Sequence, residues 1–306
     1  MFGKRWHIVP LLIVISMASV ATGSAQAPQT LSATLQPDGV HVTVDRKIFT
    51  AYLTRETQKY PYFSPVNGPA SGKSVTTESS EPYPHHHSLF FGCDRVNGGN
   101  YWQEGLDQGQ IVSRKIDMIE SQGPRVIFTN VCEWCRPVVP SPFRDERKIS
   151  ISAPSPDIRF IDFEITLTAL IEVHIAKTNH SLFSARMVPE LSVQQGGTLV
   201  NAHGDMAEKE TFAKEATWCD YWGTHNGAAE GLAIFVHPAN KWFPPRWFTR
   251  DYGFFSPTPM YWLDETGLKM PSGERLTLRY RVVVHSGSTQ EAAIDALFQG
   301  WVNEAQ

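Results

Sequence analysis

Helical periodicity is nearly missing from this chain. Over 306 residues the apolar positions recur at every second residue far more often than at every third or fourth, which excludes a helical bundle or solenoid and points to strands. Long basic runs are missing as well. Lys and Arg number 27 against 31 Asp and Glu, a net charge of −4, and that balance gives no support to a nucleic-acid groove or a polybasic membrane patch. Past the N-terminus no apolar stretch approaches the length of a membrane span. There is no G-x-S-x-G, no P-loop, no G-x-G-x-x-G and no H-E-x-x-H, so elbow-type hydrolases, nucleotide binding and zincin chemistry are unsupported. Cysteine is scarce: Cys93, Cys132, Cys135 and Cys219. Cys132 and Cys135 have a redox-like spacing, but no second such pair and no strand-to-helix context accompany them. A structural disulfide or inert thiols fit better.

The N-terminus has Lys4 and Arg5, an apolar core from Ile8 to Val20, then the small residues ATGSAQA. This is the order of a secretory signal peptide over residues 1–25, cut after Ala25. Residues 26–306 are then expected to form one exported domain, periplasmic or extracellular. Its predicted fold is all-β: a large antiparallel β-sandwich with a C-terminal α-helix. Strands are expected at 40–44, 48–53, 111–119, 125–131, 148–152, 158–173, 232–236 and 276–285. In the longest, Ile161, Phe163, Ile165, Leu167, Ala169 and Ile171 share one face. Ser288 and Glu291 form a capping box ahead of the stripe Ile294, Leu297, Phe298, Trp301 and Val302, the signature of the helix. Residues 61–84 and 136–147 are loop-rich.

Three stretches could carry chemistry. In YPHHHSLFFG an extended backbone would send His85 and His87 to one face and His86 to the other. A His-x-His pair can hold a metal, but the carboxylate that a cupin needs four or five residues on is replaced by Phe91 and Gly92. A divalent metal is therefore the alternative rather than the main expectation, with a third ligand drawn from His203, His225, His237 or Asp220. No cofactor is expected otherwise. The next stretch, TWCDYWGTHNG, sets Asp220 among Trp218, Tyr221 and Trp222, the mixture of ring faces and carboxylate that a sugar site uses. Core tryptophans beside a turn explain it equally well. The third, FVHPANKWFPPRWFTRDYGFF, reads as a rigid irregular loop supplying His237, Asn240, Trp247, Arg250 and Tyr252. An arginine held by aromatics suits an anionic substrate group. Arg186 and Asn97 are weaker candidates, the latter in a turn that its Asn-Gly sequence explains.

Taken in order, PHHHSLFFG, VNGGNYW, TWCDYWG, LAIFVHPANKWFPPRWFTRDYG and LTLRYRVVVHSG resemble the exported bacterial family known as PmoA-like, or "methane oxygenase PmoA", a family of unknown function. His85, His86, Asn97, Gly98, Trp102, Trp218, Asp220, His237, Asn240, Trp247, Arg250 and Tyr252 match its pattern. Cys93-Asp94-Arg95 stands where many members carry His-Gly-Asp. The resemblance implies a β-rich chain similar to the supersandwich of sugar mutarotases, and a sugar-related role. Methane oxidation is not expected, because a particulate methane oxygenase subunit crosses the membrane several times and this chain has no such spans.

Two functions follow. One is an exported carbohydrate-active enzyme, a hydrolase, lyase or epimerase, with His85, His86 and Asp220 as acid/base residues. Asn97, Arg186, Trp218, Trp222, His237, Asn240, Trp247, Arg250 and Tyr252 would then bind a small-molecule or oligosaccharide substrate. The other is a non-catalytic glycan-binding module built from the same loops. Neither nucleic acid nor membrane is an expected partner.

Overall fold

Period-two alternation decides the architecture. In the strand Ile158–Ala169 every second side chain from Arg159 to Ala169 is buried, with Ile161, Phe163, Ile165 and Leu167 pointing inward. Asp162 and Glu164 on its other face meet Arg281 and Arg279 of the neighbouring strand Arg275–Ser286. One face is thus apolar and the other laced with charge, as a sheet packed on one side requires.

A computed structural model describes residues 1–3, 29–79, 81–103 and 105–304. The expected signal peptide lies almost wholly outside the described residues. The rest forms two large antiparallel sheets. One has eight strands in the order Thr198–Asn201, Trp218–His225, Ala228–Val236, Arg275–Ser286, Ile158–Ala169, Phe143–Ser155, Arg125–Cys135, Gln110–Glu120. The other has nine: Phe248–Arg250, Phe254–Ser256, Ser181–Arg186, Leu89–Cys93, Tyr62–Val66, Lys47–Leu53, Gly39–Val44, Leu31–Gln36, Gln122–Gly123. They pack as a β-sandwich. The Phe163 ring of the first sheet lies 5.1 Å from Phe183, 6.1 Å from Phe91 and 6.4 Å from Phe63 of the second.

A charged network crosses this core. Asp145 and Arg147 occupy inward positions of Phe143–Ser155 and are fully enclosed. Arg147 donates to both carboxylate oxygens of Asp145 and to the Tyr52 hydroxyl, and Trp134 Nε1 donates to Asp145 Oδ2.

The expected strands all form, with differences at the edges. The long strand stops at Ala169 instead of running to Val173, because Gly273 N–H takes the Ala169 carbonyl and the chain turns. The 61–84 loop contains the strand Tyr62–Val66, wedged between Lys47–Leu53 and Leu89–Cys93. The 136–147 loop gives way to a strand at Phe143. Ser288 and Glu291 exchange the hydrogen bonds of a capping box, but they close a turn, and the helix runs over Ile294–Glu304. Its Ile294, Phe298 and Trp301 cover Trp218, Phe235 and Val283 on the outside of the eight-stranded sheet. All four cysteines are free thiols. Cys132 and Cys135 sit three apart on one strand, so they point to opposite faces, and no disulfide forms between them.

Candidate functional site

The site lies on the outer face of the nine-stranded sheet. Strands Leu89–Cys93 and Ser181–Arg186 pair with Leu89 opposite Ala185 and Cys93 opposite Ser181. Phe91 and Phe183 point into the core, so Phe90, Ser184 and Arg186 point out. Just past the end of this ladder Asp94 faces His180: Asp94 N–H donates to the His180 carbonyl, and His180 Nδ1 lies 3.1 Å from Asp94 Oδ2. A carboxylate only accepts, so the contact fixes the imidazole proton on Nδ1 and leaves Nε2 as the free basic nitrogen. Asp94 is 5% exposed and its second oxygen has no partner among the described residues.

His180 and Asp94 wall a cavity of about 410 Å³. Asn100, Gln103, Gln108 and Asn179 line it with amide groups, and the Gly98-Gly99 turn forms part of the rim. Asn100 Oδ1 accepts from the Trp102 and Gln103 N–H groups and Gln108 Nε2 donates to Asp107, and the remaining amide donors and acceptors suit sugar hydroxyls. Asn97 itself is occupied: its amide donates to the Glu172 carbonyl and accepts from His174 N–H, welding the turn to the 172–174 segment.

Behind His180 stand the three histidines. The expected extended geometry is not adopted. His86 N–H closes a turn on the Tyr83 carbonyl, and Ser88 takes a left-handed φ of 57°, so the three rings diverge. His85 lies 6.0 Å from the His180 ring. His86 lies flat on Phe254 at 4.4 Å and near Tyr83 at 5.3 Å. His87 stacks on Tyr62 at 5.0 Å. Among the described residues no three His, Cys, Asp or Glu side chains are grouped to hold a metal ion. Trp102 lies 5.8 Å from His180, and its indole N–H has no partner among the described residues. The Arg186 guanidinium sits 4.4 Å over the Tyr252 ring, and Tyr252 in turn is 4.8 Å from Tyr83.

Burial sets the charge states here. Burial first, then His180 and His87, hold His85 down to about 4. Burial, then His85, Arg186, His180 and His87, hold His86 down to about 2. Both rings are neutral at neutral pH. The unfolded chain protonates these histidines near 6.5, so between that pH and the folded values it binds more protons than the native state. Stability is complete above pH 6.5 and falls as the pH drops through this window, by about 2 kcal/mol at pH 5 for the one residue His86. Urea unfolding at pH 7 and pH 5 should show wild type losing about that much more than His86→Phe. Equal losses would mean that His86 is not held neutral.

The structure brings His85, His86, Arg186 and Tyr252 together and separates the rest. Asp220 is enclosed on the outer face of the other sheet, where it accepts from Thr289 Oγ1 and lies 3.0 Å from His285 Nε2. Burial opposes charge on His285, but Asp220 outweighs it and raises its pKa. Trp218 Nε1 donates to Asp295 of the C-terminal helix. Trp222 shares the outward face of that strand. Trp247 is a core residue whose Nε1 donates to the Ala216 carbonyl. Asn240 bonds both ways with the Arg279 backbone. His237 lines a separate groove of about 240 Å³ beside Trp301. Arg250 lies on the histidine side but is bound to Glu208 at 2.9 Å, between Phe212 and Phe248. His180 escaped the sequence reading, as did Asp94 as its partner. Each flanks an apolar run, and only the strand register places them side by side.

A family model described as "Family of unknown function (DUF6807)" matches residues 39–299. This match corrects the resemblance to the PmoA-like family: the family model that fits the chain is DUF6807. No curated protein matches. Solved structures that match include a "Putative kojibiose phosphorylase from human microbiome", at 10% identity and TM-score 0.36, covering 91% of this chain and 35% of that one. Another is a GalM/aldose epimerase homologue from C. elegans, at 8% identity and TM-score 0.31, covering 85% of this chain and 99% of that one. A third is a polysaccharide lyase at 11% identity and TM-score 0.27, covering 87% of this chain and 34% of that one. The chain thus spans about a third of the length of the first and third.

Proposed function

We propose that this chain, which belongs to the DUF6807 family of unknown function, is an exported carbohydrate-active enzyme in which His180 moves a proton at a saccharide held in the adjoining cavity. The observation that carries this reading is the buried Asp94 beside His180 Nδ1, at the wall of a cavity lined by amides. A carboxylate that orients an imidazole and stabilises its charged form is a recurrent device for general acid/base catalysis. His85, neutral and 6.0 Å from His180, is the second proton carrier within reach. Export is proposed on the charged, apolar and small-residue order of the N-terminus.

The cavity favours some reactions over others. Hydrolysis by the usual route uses two carboxyl groups flanking the bond. Asp94 is the only carboxylate among the described residues that line this cavity, and His180 already engages it. β-Elimination and epimerisation need one base and one donor to the developing charge: His180 Nε2 is the base, and the neutral His85, behind it, is a hydrogen-bond donor. The proton transfer so drawn uses side chains alone.

A panel of oligosaccharides, neutral and acidic, tests the reading by mass change, new ultraviolet absorbance from a formed double bond, and altered stereochemistry. One of the last two is expected with at least one substrate. Binding with no chemical change across the whole panel would overturn catalysis and leave a glycan-binding module.

A further inference from the structure

Arg186 is a buried cation with no ion-pair partner among the described residues. It is 3% exposed, and its Nε and Nη1 are enclosed with no hydrogen-bond partner among the described residues. The groups that face its charge are Tyr252, Tyr221 and Tyr83, and no carboxylate is among them. Other enclosed arginines are treated differently. Arg147 is bound to Asp145, Arg281 to Asp162, and Arg159 faces Glu230 and the Asn67 carbonyl. An uncompensated buried guanidinium is costly, and of these four enclosed arginines Arg186 alone has no carboxylate facing it among the described residues. Beside it His86 Nδ1 is also enclosed, with no hydrogen-bond partner among the described residues.

The surroundings say what belongs there. The guanidinium plane rests on Tyr252 at 4.4 Å, which fixes its orientation while its edge stays free to donate. A planar fork of donors matches a carboxylate. Tyr83, on the segment that carries His85 and His86, lies 4.8 Å from Tyr252 and stacks on His86 at 5.3 Å, beside the guanidinium. From Arg186 the contacts run through the rings of Tyr252, His86 and His85 to His180 at the cavity wall.

Resting on the saccharide reading of that cavity, we infer that Arg186 is the anion subsite and that the substrate is an acidic sugar whose carboxylate replaces the missing partner. Arg250, the arginine that the sequence favoured for this task, is already neutralised by Glu208.

Ligand-observed NMR with D-glucuronate and D-galacturonate, their methyl esters and D-glucose tests this on wild type, Arg186→Gln and Arg250→Gln. A charge-assisted pair predicts that wild type prefers acid to ester by about ten- to a hundredfold. Arg186→Gln should erase the preference and Arg250→Gln should keep it. Equal binding of acid and ester by wild type would overturn the inference, as would a preference that survives in Arg186→Gln. So would stronger Arg186-dependent binding of D-glucose 6-sulfate than of either uronate. If Arg186→Gln does not fold, the wild-type comparison and Arg186→Lys, expected to keep only part of the preference, decide the matter. Acid preference without turnover of any glycan leaves this inference standing and sinks the enzyme reading. Turnover of neutral glycans without acid preference does the reverse.

Discussion

His180→Ala is expected to lower kcat/KM by about 10²–10⁴-fold on whichever glycan the protein converts, the range for removing a positioned general acid or base. The substitution removes a partly exposed ring but strands the buried Asp94 carboxylate, so some loss of stability is expected and the rate is compared on protein shown to be folded. Asp94→Asn separates the roles further. Its amide can donate where the carboxylate accepted, which frees the His180 proton to move to Nε2 and blocks the basic nitrogen. Most of the His180→Ala loss should therefore appear in Asp94→Asn, and the two losses should not add, since the residues act as a unit. Asp220→Asn should leave turnover unchanged, because that carboxylate serves His285 and Thr289 on the opposite side of the sandwich. A rate that collapses in Asp220→Asn and survives in His180→Ala would reverse the assignment.

Asp145→Ala is expected to destabilise the protein by about 3–5 kcal/mol in urea unfolding at neutral pH. The change strands the Arg147 guanidinium in the core and leaves Trp134 Nε1 without its acceptor. It is the breaking of the pair that costs, more than its absence. The double variant Asp145→Leu/Arg147→Met removes both charges and should recover most of the loss. If Asp145→Ala costs under about 1 kcal/mol, the pair is solvated and the two sheets do not close over it as described.

The fold was legible because alternation is a local signal. Ile161, Phe163, Ile165 and Leu167 announce a buried face wherever their strand ends up, and the C-terminal stripe does the same for the helix. The failures came where the sheet overrides local composition. FRDERK reads as solvated, yet Asp145 and Arg147 satisfy each other indoors. Tyr62–Val66 is bounded by turn residues and became a strand by gaining two neighbours.

The site was legible in part, for the same reason. Trp218, Asp220 and Trp222 alternate with Cys219 and Tyr221, so the sequence shows that they share a face, but not that the C-terminal helix covers it. Arg186 and Arg250 look alike as residues. What distinguishes them is Glu208, distant in sequence and in contact with only one. His180 became visible through the register that sets Ser181 against Cys93.

Histidine side-chain NMR tests the central claim most directly, because it reads each imidazole by itself during titration with a converted glycan. The account predicts that the His180 and His85 resonances shift together while those of His225, His237 and His285 stay still. Shifts at His237 or His285, with His180 and His85 unmoved, would contradict it.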